Sequence, residues 1–250
     1  MTHAITLLTD FGTADGYVGE LKGVLLANAS SATVVDISHD IERHDTNGAR
    51  LALARYWRRF PKGTVHLAVV DPAVGSERAA LAVESDGYFL VGPDSGILSP
   101  ALLAASVRVI SLPIPAGASN TFHGRDVFAP AAAALATGIP LDTLGEPLDN
   151  PVILRTPEPH RMPDGSIEGE IIHVDRFGNA VTNIISTREG HFYLAGRHVR
   201  VARTYASVET GEALALTGST GLLEIAIRDG SAAAALGLRR GHSVRLVTDG

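Results

Sequence analysis

The run Val65-His66-Leu67-Ala68-Val69-Val70-Asp71-Pro72, residues 65–72, predicts a buried strand that ends directly before a carboxylate. Two other β-branched runs, at residues 5–8 and 34–37, have the same character. All three are apolar on both faces, which is typical of strands in a parallel sheet that helices cover on each side.

Helical patterns separate these strands. One helix is predicted to begin near Asp15, and a second covers about residues 45–60, with Leu51, Ala54 and Trp57 on its buried face. The alternation of strand and helix predicts right-handed crossovers and an α/β domain.

The rest of the N-terminal half adds more elements to this sheet. Residues 79–84 and 88–91 predict a hairpin because the turn residues Ser85-Asp86-Gly87 lie between them. Helices around residues 97–105 and 125–137 flank a further strand at residues 107–112.

The composition changes after residue 146. Five prolines fall between residues 147 and 163, which favours an extended linker. Short strands follow at residues 168–174, 198–202, 213–217, 222–227 and 243–247, with one helix at 231–236. We therefore predict a layered α/β domain (1–146) with a central, mostly parallel sheet, a linker (147–163) and a small C-terminal β-barrel (164–250).

Composition excludes several classes of function. The chain has 250 residues, of which 45% are hydrophobic and 19% charged, with a formal net charge of -6. This charge favours neither nucleic acid nor an anionic membrane as a partner. The absence of cysteine excludes disulfides and thiolate chemistry. No secretory signal and no run of roughly 20 apolar residues is visible, so we expect a cytoplasmic protein.

Asp71, Arg78 and His123 are the candidate catalytic residues, because each lies where a strand ends or a helix begins. An arginine beside Asp71 would keep that carboxylate ionised, and the positive end of the following helix would keep His123 neutral. Together the three side chains could orient and deprotonate water. The residues equally allow a structural interpretation, in which Asp71 caps its turn and His123 is a satisfied core histidine.

Asp10 follows the first strand and could accept two hydrogen bonds from a ribose diol, or it could cap a turn. Neither a dinucleotide fingerprint nor a Walker motif accompanies it. His39, His44 and His66 lack the spacing of metal ligands, so we expect no metal.

Two motifs of the predicted barrel carry further candidate ligand contacts. Asp175 and Glu224 could face an ammonium group, Phe177 could stack on a planar ring, and Asn179 could pair with a purine edge. The alternative is that residues 175–179 form a hairpin turn and Gly218-Ser219 a second turn.

In their order along both domains, these motifs resemble the S-adenosyl-L-methionine hydroxide adenosyltransferases, relatives of the fluorinase and the chlorinase. The matching segments are Thr9-Asp10-Phe11-Gly12, Val70–Gly75, Phe122–Asp126, Asp175–Asn179 and Ser219–Ala226.

The resemblance implies an enzyme that hydrolyses S-adenosyl-L-methionine to adenosine and L-methionine, by attack of water or hydroxide at C5′ and without a cofactor. It also implies a homotrimer whose active sites lie between subunits. The positions that match catalytic residues are Asp71, Arg78 and His123. Those that match substrate-binding residues are Asp10 at the ribose, Asp175 and Ser219 at the methionine end, and Phe177 and Asn179 at adenosine, with Glu224 in the same motif.

Two alternatives remain at this point. Halide-using relatives replace the aspartate and the histidine, whereas this chain keeps Asp71 and His123, so water is favoured over chloride or fluoride. His44 stands where those relatives have tryptophan. A protein that only binds adenosine or S-adenosyl-L-methionine would not need the three polar residues.

Overall fold

The computed structural model describes residues 4–185 and 190–247. It divides into two compact units between Arg155 and Thr156. We call them the N-terminal unit and the C-terminal unit. Leu148, Val152 and Leu154 lie within the predicted linker but pack or hydrogen-bond in the N-terminal unit, where the amides of Val152 and Leu154 donate to Asp94 and Ser99. The first half of the proline-rich stretch is therefore part of that unit.

The N-terminal unit is built on one seven-stranded mixed sheet. Its strands are β1 (Ala4–Thr9), β2 (Thr33–Ser38), β3 (Val65–Val69), β4 (Ala80–Ser85), β5 (Tyr88–Pro93), β6 (Val107–Leu112) and β7 (Glu146–Pro147). The spatial order is β2-β1-β3-β5-β4-β6-β7. The pairs β1–β2, β1–β3 and β3–β5 are parallel, whereas β4 and β6 run antiparallel to their neighbours. The predicted α/β architecture is confirmed, with a sheet that is parallel in part.

Helices cover both faces of this sheet. The α-helices are α1 (Tyr17–Asn28), α2 (Thr46–Tyr56), α3 (Ser99–Leu102) and α4 (Ala129–Ala136); a π-helical turn, Gly124–Phe128, leads into α4, and 3₁₀ turns cover Trp57–Arg59 and Leu141–Thr143. Leu7 of β1 packs with α1 and α4 on one face, and Leu8 packs with α2 and α3 on the other. This alternation follows from the two-residue period of a strand.

Two burial predictions in this unit were wrong. The buried stripe of α2 and of the 3₁₀ turn that follows it is Ala49, Leu53 and Trp57, spaced four residues apart, while Ala54 is exposed and Leu51 only half-buried. Asp45 caps this helix rather than forming part of it. Strand β2 is partly exposed because it lies at the edge of the sheet and has one neighbour only.

The C-terminal unit is a nearly closed β-barrel, as predicted. Its strands are β8 (His160–Arg161), β9 (Ile167–Val174), β10 (Ala180–Ile185), β11 (His191–Leu194), β12 (Arg197–Arg200), β13 (Ala213–Thr217), β14 (Leu222–Ile227) and β15 (Ser243–Val247), with one helix, α5 (Ala232–Leu236). The order is β12-β11-β15-β9-β10-β14-β13, and a bridge from Val201 to Ala215 joins its two ends. Strands β8, β10 and β11 were missed by the sequence analysis.

Candidate active site

Three of the predicted polar residues lie at one edge of the N-terminal sheet. Asp10 follows β1 directly, and Asp71 comes two residues after β3, at the carboxyl ends of two neighbouring parallel strands. Arg78 precedes β4, whose first residues lie at the same edge because β4 runs antiparallel to β5. In open α/β sheets this edge is the usual place for a ligand.

The structure brings Asp71, Arg78 and His123 into direct contact. Arg78 Nε donates to Asp71 Oδ1 at 2.9 Å, and its Nη2 donates to Asp71 Oδ2 and lies 2.9 Å from His123 Nδ1. The side chains of Arg78 and Asp71 are only 8% and 7% exposed. The ring of Phe128 lies under the guanidinium, 5.2 Å from its central carbon. The two-pronged pairing fixes the carboxylate in place.

The contact with Arg78 also decides where the imidazole of His123 carries its proton. An arginine can only donate, so Nδ1 must accept, and a neutral ring then carries its proton on Nε2. Burial and the nearby Arg78 cation lower the pKa of His123, which favours this neutral ring. His123 precedes the π-helical turn, which aims the ring into a cavity.

This cavity has a volume of about 690 Å³ and lies within the N-terminal unit. Its lining combines the candidate residues Asp10, Asp71 and His123 with further acidic, basic and aromatic side chains, namely Phe11, Asp15, Tyr17, Glu20, Arg43, His44, Phe122 and Arg125. A cavity of this size, in which apolar walls meet many charged and polar side chains, suits a small polar ligand.

Asp10 does not cap the following helix, since α1 has Gly16 at its N-cap. Its Oδ2 instead accepts the backbone N–H of His44 at 2.9 Å. His44 has a φ of 63°, a left-handed conformation that is rare outside glycine. A carboxylate has further lone pairs, so Asp10 can still accept hydrogen bonds from a ligand in the cavity.

One wall of the cavity is aromatic. Phe11, Tyr17 and Phe122 meet edge to face, with ring centroids 5.2 to 6.1 Å apart. Beside them Arg125 pairs with both Glu20 and Asp126. Sequence reasoning gave the aromatic residues no role, because their contact depends on three separate segments of the chain.

In the C-terminal unit, residues 175–179 form the turn between β9 and β10. Asp175 Oδ1 accepts the amides of Phe177 and Asn179, and its Oδ2 accepts Asn179 Nδ2 at 3.0 Å. The alternative interpretation of this motif as a hairpin turn is therefore correct. The turn also leaves the ring of Phe177 77% exposed, so Phe177 remains available for a ligand or a partner.

Asn179 and Glu224 lie close to a tyrosine that the sequence analysis missed. Asn179 Nδ2 donates to Tyr205 Oη at 3.3 Å. Burial raises the pKa of Tyr205, and the charges of Glu224 and Asp175 raise it further. Glu224 is 8% exposed and pairs in register with Val181, two residues after Asn179. The side chains of Asp175, Asn179, Tyr205 and Glu224 therefore lie near one another.

Ser219 lies in the turn between β13 and β14 and is exposed. The preceding Gly218 packs against the carboxylate of Glu224, since a Cβ there would lie within bonding distance of Glu224 Oε1. Of the predicted residues of the barrel, Asp175, Phe177 and Asn179 thus lie in one turn, Ser219 lies in another, and Glu224 lies on β14.

The histidines considered as metal ligands have other partners. Nδ1 of His39 lies 2.8 Å from Thr9 Oγ1, and Nδ1 of His66 lies 2.8 Å from Thr6 Oγ1. Within residues 4–185 and 190–247, no group of three or more potential metal ligands comes together. Over the same residues, no helix is long and apolar enough to cross a membrane.

Comparisons with known proteins identify one family along both units of the chain. The models of the S-adenosyl-L-methionine hydroxide adenosyltransferase N-terminal and C-terminal domains match residues 5–145 and 169–245. A protein of Thermus thermophilus named (R)-S-adenosyl-L-methionine hydrolase is 41% identical, covering 97% of this chain and 99% of its own. A protein of the same name from Salinispora arenicola is 36% identical over 98% of both chains.

More distant relatives and solved structures extend the comparison. A fluorinase of Actinopolyspora mzabensis is 27% identical, covering 97% of this chain and 96% of its own. The crystal structure of a conserved protein from Thermotoga maritima superposes with a TM-score of 0.88 at 32% identity, covering 97% of this chain and 99% of that one. Matched by both domain models and by relatives along almost its whole length, the chain belongs to the S-adenosyl-L-methionine hydroxide adenosyltransferase family.

Proposed function

We propose that this protein hydrolyses S-adenosyl-L-methionine to adenosine and L-methionine. The observation that carries the proposal is the hydrogen-bonded set of Asp71, Arg78 and His123 beside a cavity of about 690 Å³. The names of the relatives at 41% and 36% identity support the same substrate.

In the proposed reaction, one water molecule lies between Asp71 and His123. Nε2–H of His123 donates to the water oxygen, and the water donates one proton to the carboxylate of Asp71, so that a lone pair is directed at C5′ of the substrate. The new O–C5′ bond forms as the C5′–S bond breaks, and its electron pair leaves with sulfur as the neutral thioether of methionine. Asp71 takes the water proton and later releases it to solvent.

Arg78 does not react in this scheme. It holds the carboxylate with two hydrogen bonds and fixes the imidazole in the tautomer that donates to water. The sulfonium is a good leaving group that needs no general acid. Alignment of water with C5′ is therefore the main requirement, and alignment alone supplies roughly 7–11 kcal/mol in favourable cases.

The substrate contacts follow the family pattern. Asp10 binds the ribose diol, Phe177 and Asn179 contact adenosine, and Asp175 and Ser219 bind the methionine end. Glu224 supports the turn of residues 175–179 and the turn that contains Ser219. No cofactor or metal takes part, and we expect the enzyme in the cytoplasm.

The direct test is to incubate the protein with S-adenosyl-L-methionine in ¹⁸O-water and to follow the products by liquid chromatography and mass spectrometry. We expect adenosine labelled at O5′ together with methionine. Unlabelled adenosine would contradict attack of water at C5′. With chloride or fluoride added, a 5′-halo-5′-deoxyadenosine would assign the protein to the halogenases instead. Stoichiometric binding without products would assign it to non-catalytic binding proteins.

We also propose a homotrimer whose active sites are shared between subunits. Mass photometry would give its size. If sites are shared, inactive D71A and N179A chains produced together will regain activity, because some mixed sites contain no altered residue. Mixtures as inactive as either parent would contradict shared sites.

A further inference from the structure

Outside the set of Asp71, Arg78 and His123, the histidine His39 is linked to the cavity through the loop that carries Asp10. His39 follows β2 and its side chain is 5% exposed. The backbone carbonyl of His39 accepts the N–H of Gly12 at 2.8 Å, and its Nδ1 lies 2.8 Å from Thr9 Oγ1. Its two contacts therefore lie on either side of Asp10.

The side chains of Lys22, Asp36, His39 and Thr9 form a series of polar contacts that leads to the Asp10 loop. Lys22 Nζ donates to Asp36 Oδ2 at 2.6 Å, and His39 Nε2 lies 3.2 Å from Asp36 Oδ1. The negative charge of Asp36 favours the tautomer of His39 with its hydrogen on Nε2, and in that tautomer Nδ1 accepts from the hydroxyl of Thr9. The oxygen of Thr9 in turn accepts the N–H of Phe11 at 3.3 Å.

We propose that His39 is a positioning residue for the ribose-binding loop, acting through Thr9 on the backbone that places the Asp10 carboxylate and the Phe11 ring in the cavity. The inference rests on the proposed function for the identity of the ligand. Its geometric part depends only on the contacts of Thr9 and Gly12 with His39 and on the hydrogen bond from Phe11 N–H to Thr9.

The same strand contains a matched control. Thr6 and His66 form a buried Thr–His pair with the same distance of 2.8 Å, yet neither residue lines the cavity. Thr6→Val and Thr9→Val each remove one hydroxyl from β1 at nearly constant volume. Both variants will lose thermal stability, but only Thr9→Val will displace the Asp10 loop.

The experiment measures the KM for S-adenosyl-L-methionine, kcat, the Kd for adenosine and the melting temperature of each variant. For Thr9→Val we expect KM and the adenosine Kd to rise about tenfold, with kcat within about twofold, since the two hydrogen bonds of the Thr9 hydroxyl are lost from the loop that supports the ribose site rather than from the reacting atoms. For Thr6→Val we expect the KM for S-adenosyl-L-methionine and the Kd for adenosine to be unchanged. Equal effects of the two variants on KM and Kd would overturn the proposal.

Substitution of His39 itself gives a second test. In His39→Asn the amide replaces Nδ1 and keeps the contact with Thr9, whereas in His39→Gln it replaces Nε2 and loses that contact. We expect His39→Asn to be near wild type and His39→Gln to match Thr9→Val. The reverse order would contradict the proposal. Asp36→Asn, at a residue whose side chain is 43% exposed, serves if the His39 variants do not fold, and should raise KM about threefold.

A wild-type protein that does not act on S-adenosyl-L-methionine would refute the proposed function alone. The positioning role is then decided by ¹⁵N NMR of the wild-type protein and Thr9→Val. We expect the neutral ring of His39 to carry its hydrogen on Nε2, and the amide signals of Phe11 and Gly12 to shift in Thr9→Val but not in Thr6→Val. Absence of either effect would overturn the inference.

Discussion

Arg78 Nη2 lies 2.9 Å from His123 Nδ1, so a group that can only donate occupies the one lone pair that a neutral imidazole has. The imidazole therefore presents an N–H, rather than a lone pair, to the cavity. This relationship assigns proton acceptance to Asp71 and orientation of water to His123 in the proposed mechanism.

The first prediction concerns Asp71. Asp71→Asn removes the proposed proton acceptor but can keep part of the pairing with Arg78, so we expect kcat to fall about 10²- to 10⁴-fold, the usual contribution of a general base. Asp71 does not bind adenosine in the proposed mechanism, so the adenosine Kd should stay within about threefold by calorimetry. Wild-type turnover in this variant would remove Asp71 from the mechanism.

The second prediction concerns the pH dependence of turnover. Burial and Arg78 lower the pKa of His123 below 6.5. Above this pKa the neutral ring accepts from Arg78, and below it the protonated Nδ1 opposes the arginine. We therefore expect log kcat to be level from pH 6.5 to 8 and to fall only at lower pH.

The control for this pH profile is His123→Asn, whose amide oxygen can accept from Arg78 but which has no Nε2–H. It should be slower at every pH and lack the acid limb that His123 causes. An acid limb of the same midpoint in this variant would assign the titration to another group.

The third prediction separates ligand binding from folding at Phe177. Its ring is 77% exposed, so Phe177→Ala should leave the melting temperature unchanged while it raises the KM for S-adenosyl-L-methionine. Tyr193 in the same unit is 66% exposed and has no proposed ligand contact, which makes Tyr193→Ala the matched control. Equal KM values for the two variants would show that Phe177 does not contact the substrate.

The fourth prediction concerns stability and His66. Burial lowers the pKa of this residue to about 4, against 6.5 for an unperturbed histidine. Between these values only the unfolded chain takes up the proton, so the free energy of unfolding should decrease as the pH falls from 6.5 to 4. For one residue the loss is about 3 kcal/mol.

Urea denaturation of wild type and His66→Asn at pH 7 and pH 4.5 measures this contribution. The difference in unfolding free energy between the two proteins should shrink at the lower pH, since the variant has no imidazole to protonate. If this difference in unfolding free energy is the same at both pH values, His66 carries the same charge in the folded and the unfolded protein.

Much of the fold could be predicted from local patterns. Strands β13, β14 and β15 begin and end where alternation and turn residues indicated, because each lies between strong turn signals. Strands β10 and β11 were missed, since their apolar residues do not alternate cleanly with polar ones. The buried stripe of α2 depends on where Asp45 starts the helix, which periodicity alone did not fix.

The site was predictable as a set of residue types but not as a geometry. Asp71 and Arg78 are seven positions apart, and the strand-end rule brings them together. The contact of Arg78 with His123 spans 45 positions and depends on how α4 packs on the sheet. No sequence pattern marked Tyr205 as a residue of the site, because it lies in a 3₁₀ turn (Tyr205–Ser207) without a recognisable catalytic or binding motif.

The reversal of β4 relative to β3 has a practical consequence. The chain leaves the sheet after Val69 and re-enters it at Ala80 on the same rim, so ten consecutive residues supply both the acid and its arginine. This peptide can be exchanged as one cassette between related enzymes while both flanking strands keep their sequence. Because His123 lies outside this peptide, such an exchange changes the acid and its arginine together and leaves the imidazole in place.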